Sequence, residues 1–427
     1  MPGKRPPTGR ENPFRISGTV GGPYFTDRED EITRIVRALG EPGAKLLVAG
    51  ARRTGKTSTL ERAVEAVTAA GGAACMADLS TASTPVDMAN RILTAALRVV
   101  KRGWATALVD RLALLKMSLT MKPDPVSGGM AVSLDMSVRD ADAKTQEASL
   151  AQVLDLLDEL AGKRKMTLGL VLDEFQEIAR FGEHAEWRLR GVLQRHQHLS
   201  YVVAGSHLSL IDAMQGKGRA FYKLFERCPF GPIAPDHMAA WIDARMRAVG
   251  LAPQDAGARC VAMAGARTRD IVRLARKGVD RAEDTPRIDG TAVDAAFREI
   301  LEEDADSTQR WWSGLTVAQQ NVLRAVAGAS TGLTARVTQQ QYGLRASTTT
   351  TVQALVAEGV LQKTSHGSGY MFDDPFVRGW VVLHALPDLG IVEPATFIAS
   401  PTSEYGALGS APPTLLSRHR LSRKPPT

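Results

Sequence analysis

Cysteine is scarce in this chain of 427 residues: Cys75, Cys228 and Cys260 stand far apart. That spacing excludes a disulfide framework and a cysteine-based metal centre, and the three read as small buried residues. The eight histidines offer no metal site either. His196 and His198 are two positions apart and point in different directions on a helix. No apolar run reaches the length of a membrane span, so no membrane partner is expected. The opening Met1-Pro-Gly-Lys-Arg-Pro-Pro lacks the apolar core of a secretory signal, and a soluble cytoplasmic protein is the expectation. Aromatic residues are only 5%, and no internal repeat is visible.

What is present is an ordinary globular composition, 44% hydrophobic and 23% charged, with a formal net charge of +7. That charge permits contact with nucleic acid or acidic lipid without establishing it. The length calls for two or three domains.

The informative stretch is Gly50-Ala51-Arg52-Arg53-Thr54-Gly55-Lys56-Thr57, followed by Ser58. It is G-x-x-x-x-G-K-T, a phosphate-binding loop, in the context that motif requires. Lys45 to Ala49 reads as a short buried strand before it, and Lys56 to Ala70 as a helix after it, stopped by Gly71-Gly72. The glycines let successive backbone N–H groups turn toward phosphate oxygens, and the helix dipole faces the same anion. Lys56 suits the β- and γ-phosphates, and the Thr57 hydroxyl suits Mg²⁺. Arg52 and Arg53 face either the phosphates or a neighbouring acid.

Along the chain, residues 1–20 are rich in Pro, Gly and Arg and are expected to be disordered. Thr26 and Glu29 form a capping box before a helix whose apolar face is Ile32, Ile35, Val36 and Leu39. A strand over 73–79 and a helix over 85–100 follow. Residues 103–145 read as an insertion with a hairpin, its strand signal being the alternation from Met130 to Val138. A helix over 147–161 precedes the apolar strand 167–172, a helix over 183–196 and a strand over 201–206. This alternation predicts a parallel sheet with helices on both faces. Beyond it the pattern is helical and free of strands: 236–249, 254–264, 268–281 and 290–303. A junction at 307–314, helices at 315–327, 336–343 and 347–358, and a hairpin from 360 to 372 describe a winged helix-turn-helix. The residues after 387 read as a disordered basic tail. The predicted class is therefore α/β. A P-loop domain spans 21–234, a helical lid 235–306 and a winged helix 307–386.

Asp173 and Glu174 end the apolar strand. In a nucleotide site the first acid holds Mg²⁺ and the second orients and deprotonates a water. The ordinary alternative is two solvated acids at a strand end. Ser206 ends the next strand, where parallel sheets bind ligands. It either touches the attacking water or the γ-phosphate, or caps a turn. Arg227, Arg267 and Arg269 are candidate cations for transition-state charge, or plain surface arginines.

Several of these features occur together with Phe25-x-x-Arg28-Glu29, Leu172-Asp-Glu-Phe-Gln176, Gly205-Ser206, Phe221-Tyr-Lys-Leu-Phe-Glu-Arg227 and Asp374-Pro-Phe-Val-Arg-Gly-Trp380. In this combination, over residues 23–382, the chain resembles the prokaryotic archaeal-type P-loop ATPases of the AAA+ class, relatives of origin-recognition-type initiators. The resemblance implies an ATPase domain, a helical lid and a C-terminal winged helix. It implies an arginine finger at Arg227, in cis or in trans, and a lid sensor at Arg269 or Arg267. The family pattern Gly-x-Pro-Arg is replaced here by Gly265-Ala-Arg-Thr-Arg269. Phe25 would lie near the adenine, or Tyr24 and Phe25 would staple the first helix.

On the winged helix, Arg345, Ser347, Thr348 and Thr349 would stand at the N-terminal end of the recognition helix, with Lys363 and His366 on the wing. Double-stranded DNA and a protein partner both remain open for it. The expectation is an enzyme that hydrolyses ATP with Mg²⁺ and couples nucleotide state to this module, with nucleotide-dependent self-association as a further option. The rivals are a DNA-binding regulator with little turnover, and a signalling or defence ATPase whose winged helix binds protein. No Asn-Lys-x-Asp follows the acidic strand, which weighs against GTP.

Overall fold

A computed structural model of the chain describes residues 11–99, 119–123, 130–134, 143–282, 286–328, 332–345, 347–363 and 369–389. The chain divides into two compact units, residues 17–233 and residues 234–427 together with 1–16.

The first unit is built on a five-stranded parallel sheet. Its strands are β1 (Lys45–Ala49), β2 (Ala73–Asp78), β5 (Leu168–Asp173), β6 (Leu199–Gly205) and β7 (Glu226–Pro229). Their spatial order is β2-β5-β6-β1-β7. Side chains alternate across the sheet, as the strand period of two demands. Leu47, Leu170, Leu172, Tyr201 and Val203 enter one core, with the helices Pro85–Val99, Ala143–Lys163 and Glu183–Arg195. Leu46, Val48, Val171, Val202 and Ala204 enter the other, with α1 (Glu29–Gly40) and α2 (Lys56–Ala69). Both faces are thus covered, and β5 and β6 are buried along their whole length.

In the insertion, β3 (Leu119–Pro123) and β4 (Met130–Leu134) pair antiparallel, which is the expected hairpin; the rest of 103–142 lies outside the described residues. Thr26 is not the N-cap of this helix; Arg28 is. Asp27 and Arg28 turn the chain with φ of 61° and 84°, incompatible with a first helical turn at those positions, and α1 begins at Glu29.

The second unit is mainly helical, with the four expected helices at Pro235–Ala248, Ala256–Ala264, Thr268–Arg281 and Gly290–Glu303. The strand-free expectation yields to a two-residue parallel bridge, Ala252–Pro253 with Arg287–Ile288. The junction is a helix, Ala305–Ser313, because Trp312 is an anchor and buries against Trp380, ring centroids 5.8 Å apart. The segment 11–16 is ordered: Phe14 is buried against Trp241, and Arg276 and Arg245 donate to the carbonyls of Phe14 and Pro13. Residues 1–10 and 390–427 lie outside the described set.

The helices Val317–Gly328, Arg336–Tyr342 and Thr348–Ala357 precede the antiparallel hairpin Leu361–Lys363 with Tyr370–Phe372, in the order of a winged helix-turn-helix. These elements share a core with the four helices before them. Phe297 and Phe376 rings lie 5.2 Å apart, and a Cβ on Gly379 would come within 2.7 Å of Phe297. Among the described residues no helix is long and apolar enough to cross a membrane.

Candidate phosphate-binding site

The phosphate loop joins β1 to α2 at the carboxyl edge of the sheet. Two positions there demand glycine for different reasons. A Cβ on Gly50 would sit 2.3 Å from the Phe230 carbonyl oxygen. Gly55, at the N-cap of α2, has φ of 94°. Inside the loop Arg53 is also left-handed, with φ of 65°, and Thr54 Oγ1 donates to the Ala51 carbonyl at 2.8 Å. Lys56 is buried and folds back over the loop, its Nζ donating to the carbonyls of Gly50 (2.8 Å) and Ala51 (2.6 Å). Ser58 is buried too, its Oγ accepting from Val20 N.

The acidic pair meets this loop from β5. Thr57 Oγ1 donates to Asp173 Oδ2 at 2.8 Å, and the Glu174 amide donates to Asp173 Oδ1 at 2.9 Å. Burial pushes the Asp173 carboxyl above the usual carboxylate range, and the Glu174 charge adds to that; the Thr57 hydrogen bond and the Lys56 charge pull the other way. Glu174 itself has φ of 54° and ψ of 41°, a left-handed conformation for a residue with a side chain. Such strain costs on the order of 1–3 kcal/mol and persists only where neighbours hold it. Here Ser206 Oγ lies 2.6 and 2.9 Å from the two Glu174 oxygens, and Gln176 Nε2 donates to Oε2. Arg52 Nε donates in turn to Ser206 Oγ at 3.4 Å. Of its two open options Arg52 thus reaches toward the acid through Ser206; both Arg52 and Arg53 are exposed.

Lys56, Thr57, Asp173, Glu174, Ser206 and Arg52 are therefore one cluster, contributed by the ends of β1, β5 and β6. Others stand apart. Phe25 lies against α2, with the Arg62 guanidinium 5.4 Å from its ring centroid. Arg227 lies within β7 and is exposed; its side chain donates to Asp212 (3.0 Å) and Gln215 (2.9 Å). Arg267 and Arg269 belong to the other unit. Arg267 is buried there and paired with Asp373 at 2.6 Å, whereas Arg269 is exposed. On the winged helix, Arg345, Ser347, Thr349 and Lys363 are exposed and Thr348 is half-buried; His366 lies outside the described residues.

Two further residues, one beside the cluster and one beside the phosphate loop, went unrecognised in the sequence. Gln176, two residues past Glu174, points back to it. Arg28 is 4% exposed, and its NH2 donates to the Thr54 carbonyl. Both sit inside motifs quoted above, but only the folded chain shows where their side chains go.

No protein-family model and no curated protein matches the sequence. Solved structures do. A Walker-type ATPase of Pyrococcus abyssi matches with a TM-score of 0.59 at 14% identity, over 86% of this chain and 99% of that one. The ORC2 protein of Aeropyrum pernix, in ADPNP–ADP complexes, matches with a TM-score of 0.44 at 14% identity, over 92% and 99%. The ORC1 protein of Aeropyrum pernix, in complex with DNA, matches with a TM-score of 0.45 at 17% identity, over 86% and 95%. The likeness to the Pyrococcus abyssi protein is one of fold.

Proposed function

We propose that this chain, with its P-loop ATPase fold, binds ATP and hydrolyses it to ADP and phosphate. The observation that carries the reading is the junction of Thr57 with Asp173, which brings the loop's lysine and hydroxyl to a carboxylate pair from a different strand. Among the described residues no group of three or more His, Cys, Asp and Glu gathers as a metal cage. A hydroxyl and one carboxylate suit instead a Mg²⁺ ion that takes its remaining ligands from phosphate and water. Thr57 and Asp173 would hold that ion, and its charge would offset negative charge on the phosphates.

The chain's own groups then divide the work. The loop N–H groups from Ala51 to Ser58 bind phosphate oxygens. Lys56 exchanges its loop carbonyls for the β- and γ-phosphates. Glu174 accepts a proton from the attacking water, and Ser206 with Gln176 orients its carboxylate. A serine hydroxyl has one proton and donates to one Glu174 oxygen at a time, which leaves acceptor capacity for water. Arg227, exposed and held by a solvent-facing pair with Asp212, would act as an arginine finger in its own chain or on a neighbouring copy's nucleotide. Arg269, exposed where Arg267 is buried in an ion pair, is the better candidate for the lid sensor.

The test is a pair of variants. Lys56→Ala should lose ATP binding. Glu174→Gln should keep binding while turnover falls by about 10²–10⁴-fold. Normal turnover in Glu174→Gln would remove Glu174 from the role of base.

A second reading concerns the winged helix, where exposed Arg345, Ser347 and Thr349 open the helix Thr348–Ala357. Polar side chains at that end suit contact with double-stranded DNA. Duplex DNA that stimulates turnover with a steep salt dependence would support it. An unchanged gel mobility of duplex DNA at low salt would favour a protein partner.

A further inference from the structure

Arg28 precedes the first helix and has φ of 84°, a conformation that an L side chain keeps only where its surroundings impose it. Its side chain explains why it stays. NH1 pairs with Glu31 at 2.7 Å. NH2 donates to the Gly231 carbonyl at 2.7 Å and to the Thr54 carbonyl at 3.3 Å. The guanidinium carbon lies 4.1 Å from the centroid of the Phe230 ring.

These contacts close a ring around the phosphate loop. At the loop's start, Phe230 N donates to the Ala49 carbonyl at 3.0 Å, and the Phe230 carbonyl crowds the Gly50 Cα, where a Cβ would come within 2.3 Å. At its end, Arg28 joins Gly231, the next residue after Phe230, to Thr54. The peptide unit between Thr54 and Gly55 is planar and trans, so its C=O and N–H point in opposite directions. Drawing the Thr54 carbonyl toward Arg28 turns the Gly55 N–H away from it. That N–H is one of the donors with which a loop of this type holds phosphate.

We infer that Arg28 is a positioning residue for the nucleotide: it sets the orientation of the Thr54–Gly55 peptide and thereby the affinity for the phosphates. The inference rests on the loop being an ATP site. A donor aimed at the phosphates acts on bound ATP and on the transition state alike, so its loss weakens binding without slowing the bound complex.

The experiment compares Arg28→Met, which keeps the apolar stem, Arg28→Lys, which keeps the charge but not the planar fork, and Lys56→Ala. For each, the Kd of Mg-ATP is measured by calorimetry, kcat and KM by steady-state hydrolysis, and Tm by thermal melting. Both Arg28 variants should raise Kd and KM about tenfold or more, with kcat at saturation within about threefold of the parent chain. If Arg28→Met does not fold, Arg28→Lys decides. A folded Arg28→Lys with unchanged KM overturns the inference. So does a fall in kcat and Tm at unchanged KM, which is the mark of a purely structural arginine. Loss of binding in Lys56→Ala beside a normal KM in Arg28→Lys sinks the inference alone. Undiminished ATP binding in Lys56→Ala sinks the ATP-site reading and the inference together.

Discussion

Ser206 Oγ and the Glu174 carboxylate meet at 2.6 Å, across the carboxyl ends of two neighbouring parallel strands. Glu174 is the residue whose backbone is left-handed there, so its side chain is aimed by contacts from β6 and from Gln176 and not by a relaxed backbone. Ser206→Ala removes one of those contacts. The expected outcome is a kcat about tenfold lower with an ATP Kd within about threefold of the parent, because orientation of a general base is lost and phosphate contacts are kept. Single-turnover hydrolysis under saturating ATP reads it.

Arg227 is held by an exposed pair with Asp212, the side chains 59% and 65% exposed. A pair in that setting contributes about 0–1 kcal/mol, so it opens readily for another contact. Arg227→Ala should therefore leave the melting temperature unchanged. If it serves a second copy's nucleotide, the parent chain's rate per molecule rises with protein concentration. In the variant that rise should vanish and turnover fall by about 10³-fold. A flat concentration dependence in the parent chain would refute action between copies.

Gly50→Ala places a methyl group 2.3 Å from the Phe230 carbonyl and 2.9 Å from its Cβ. Relief requires moving β7 or the loop, and overpacking of this kind costs about 1–3 kcal/mol. The melting temperature should drop, and ATP should stabilise the variant less than it stabilises the parent. A melting curve with and without Mg-ATP measures both.

The cysteines give a pH-dependent test. Burial pushes the Cys75 thiol up to about 12 from an ordinary 9.0, and raises Cys228 and Cys260 as well. Alkylation of Cys75 by iodoacetamide at pH 8 should be at least about 10²-fold slower in the folded chain than in urea, since only the thiolate reacts. The sign for stability follows from the same shift. Above pH 9 the unfolded thiols ionise while folded Cys75 stays neutral until about 12, so thiol ionisation lowers stability progressively across that window.

Much of this architecture was legible in the chain. The strand Leu168–Asp173 is continuously apolar because helices cover both faces of the sheet, and continuity is the signal such a strand leaves. The helices Thr268–Arg281 and Gly290–Glu303 carry strong apolar periodicity and lie where it predicts them. Local signals failed where a distant contact won. Thr26 and Glu29 satisfy the capping pattern, yet Arg28 is drawn into the protein by Thr54, Gly231 and Phe230, and the helix starts later. The stretch 305–313 reads as a junction until Trp312 finds Trp380. Residues 11–16 read as tail until Phe14 finds Trp241.

The order of residues alone determined which groups could grip a phosphate: a glycine-flanked loop, a lysine, a hydroxyl and two adjacent acids, each tied to its neighbours by a few covalent bonds. Which of them touch was decided only by tertiary structure. Thr57 and Asp173 are 116 positions apart, and Ser206 and Glu174 are 32 apart. Separations of that size are closed by strand order in the sheet, and strand order follows from how two apolar faces are buried together.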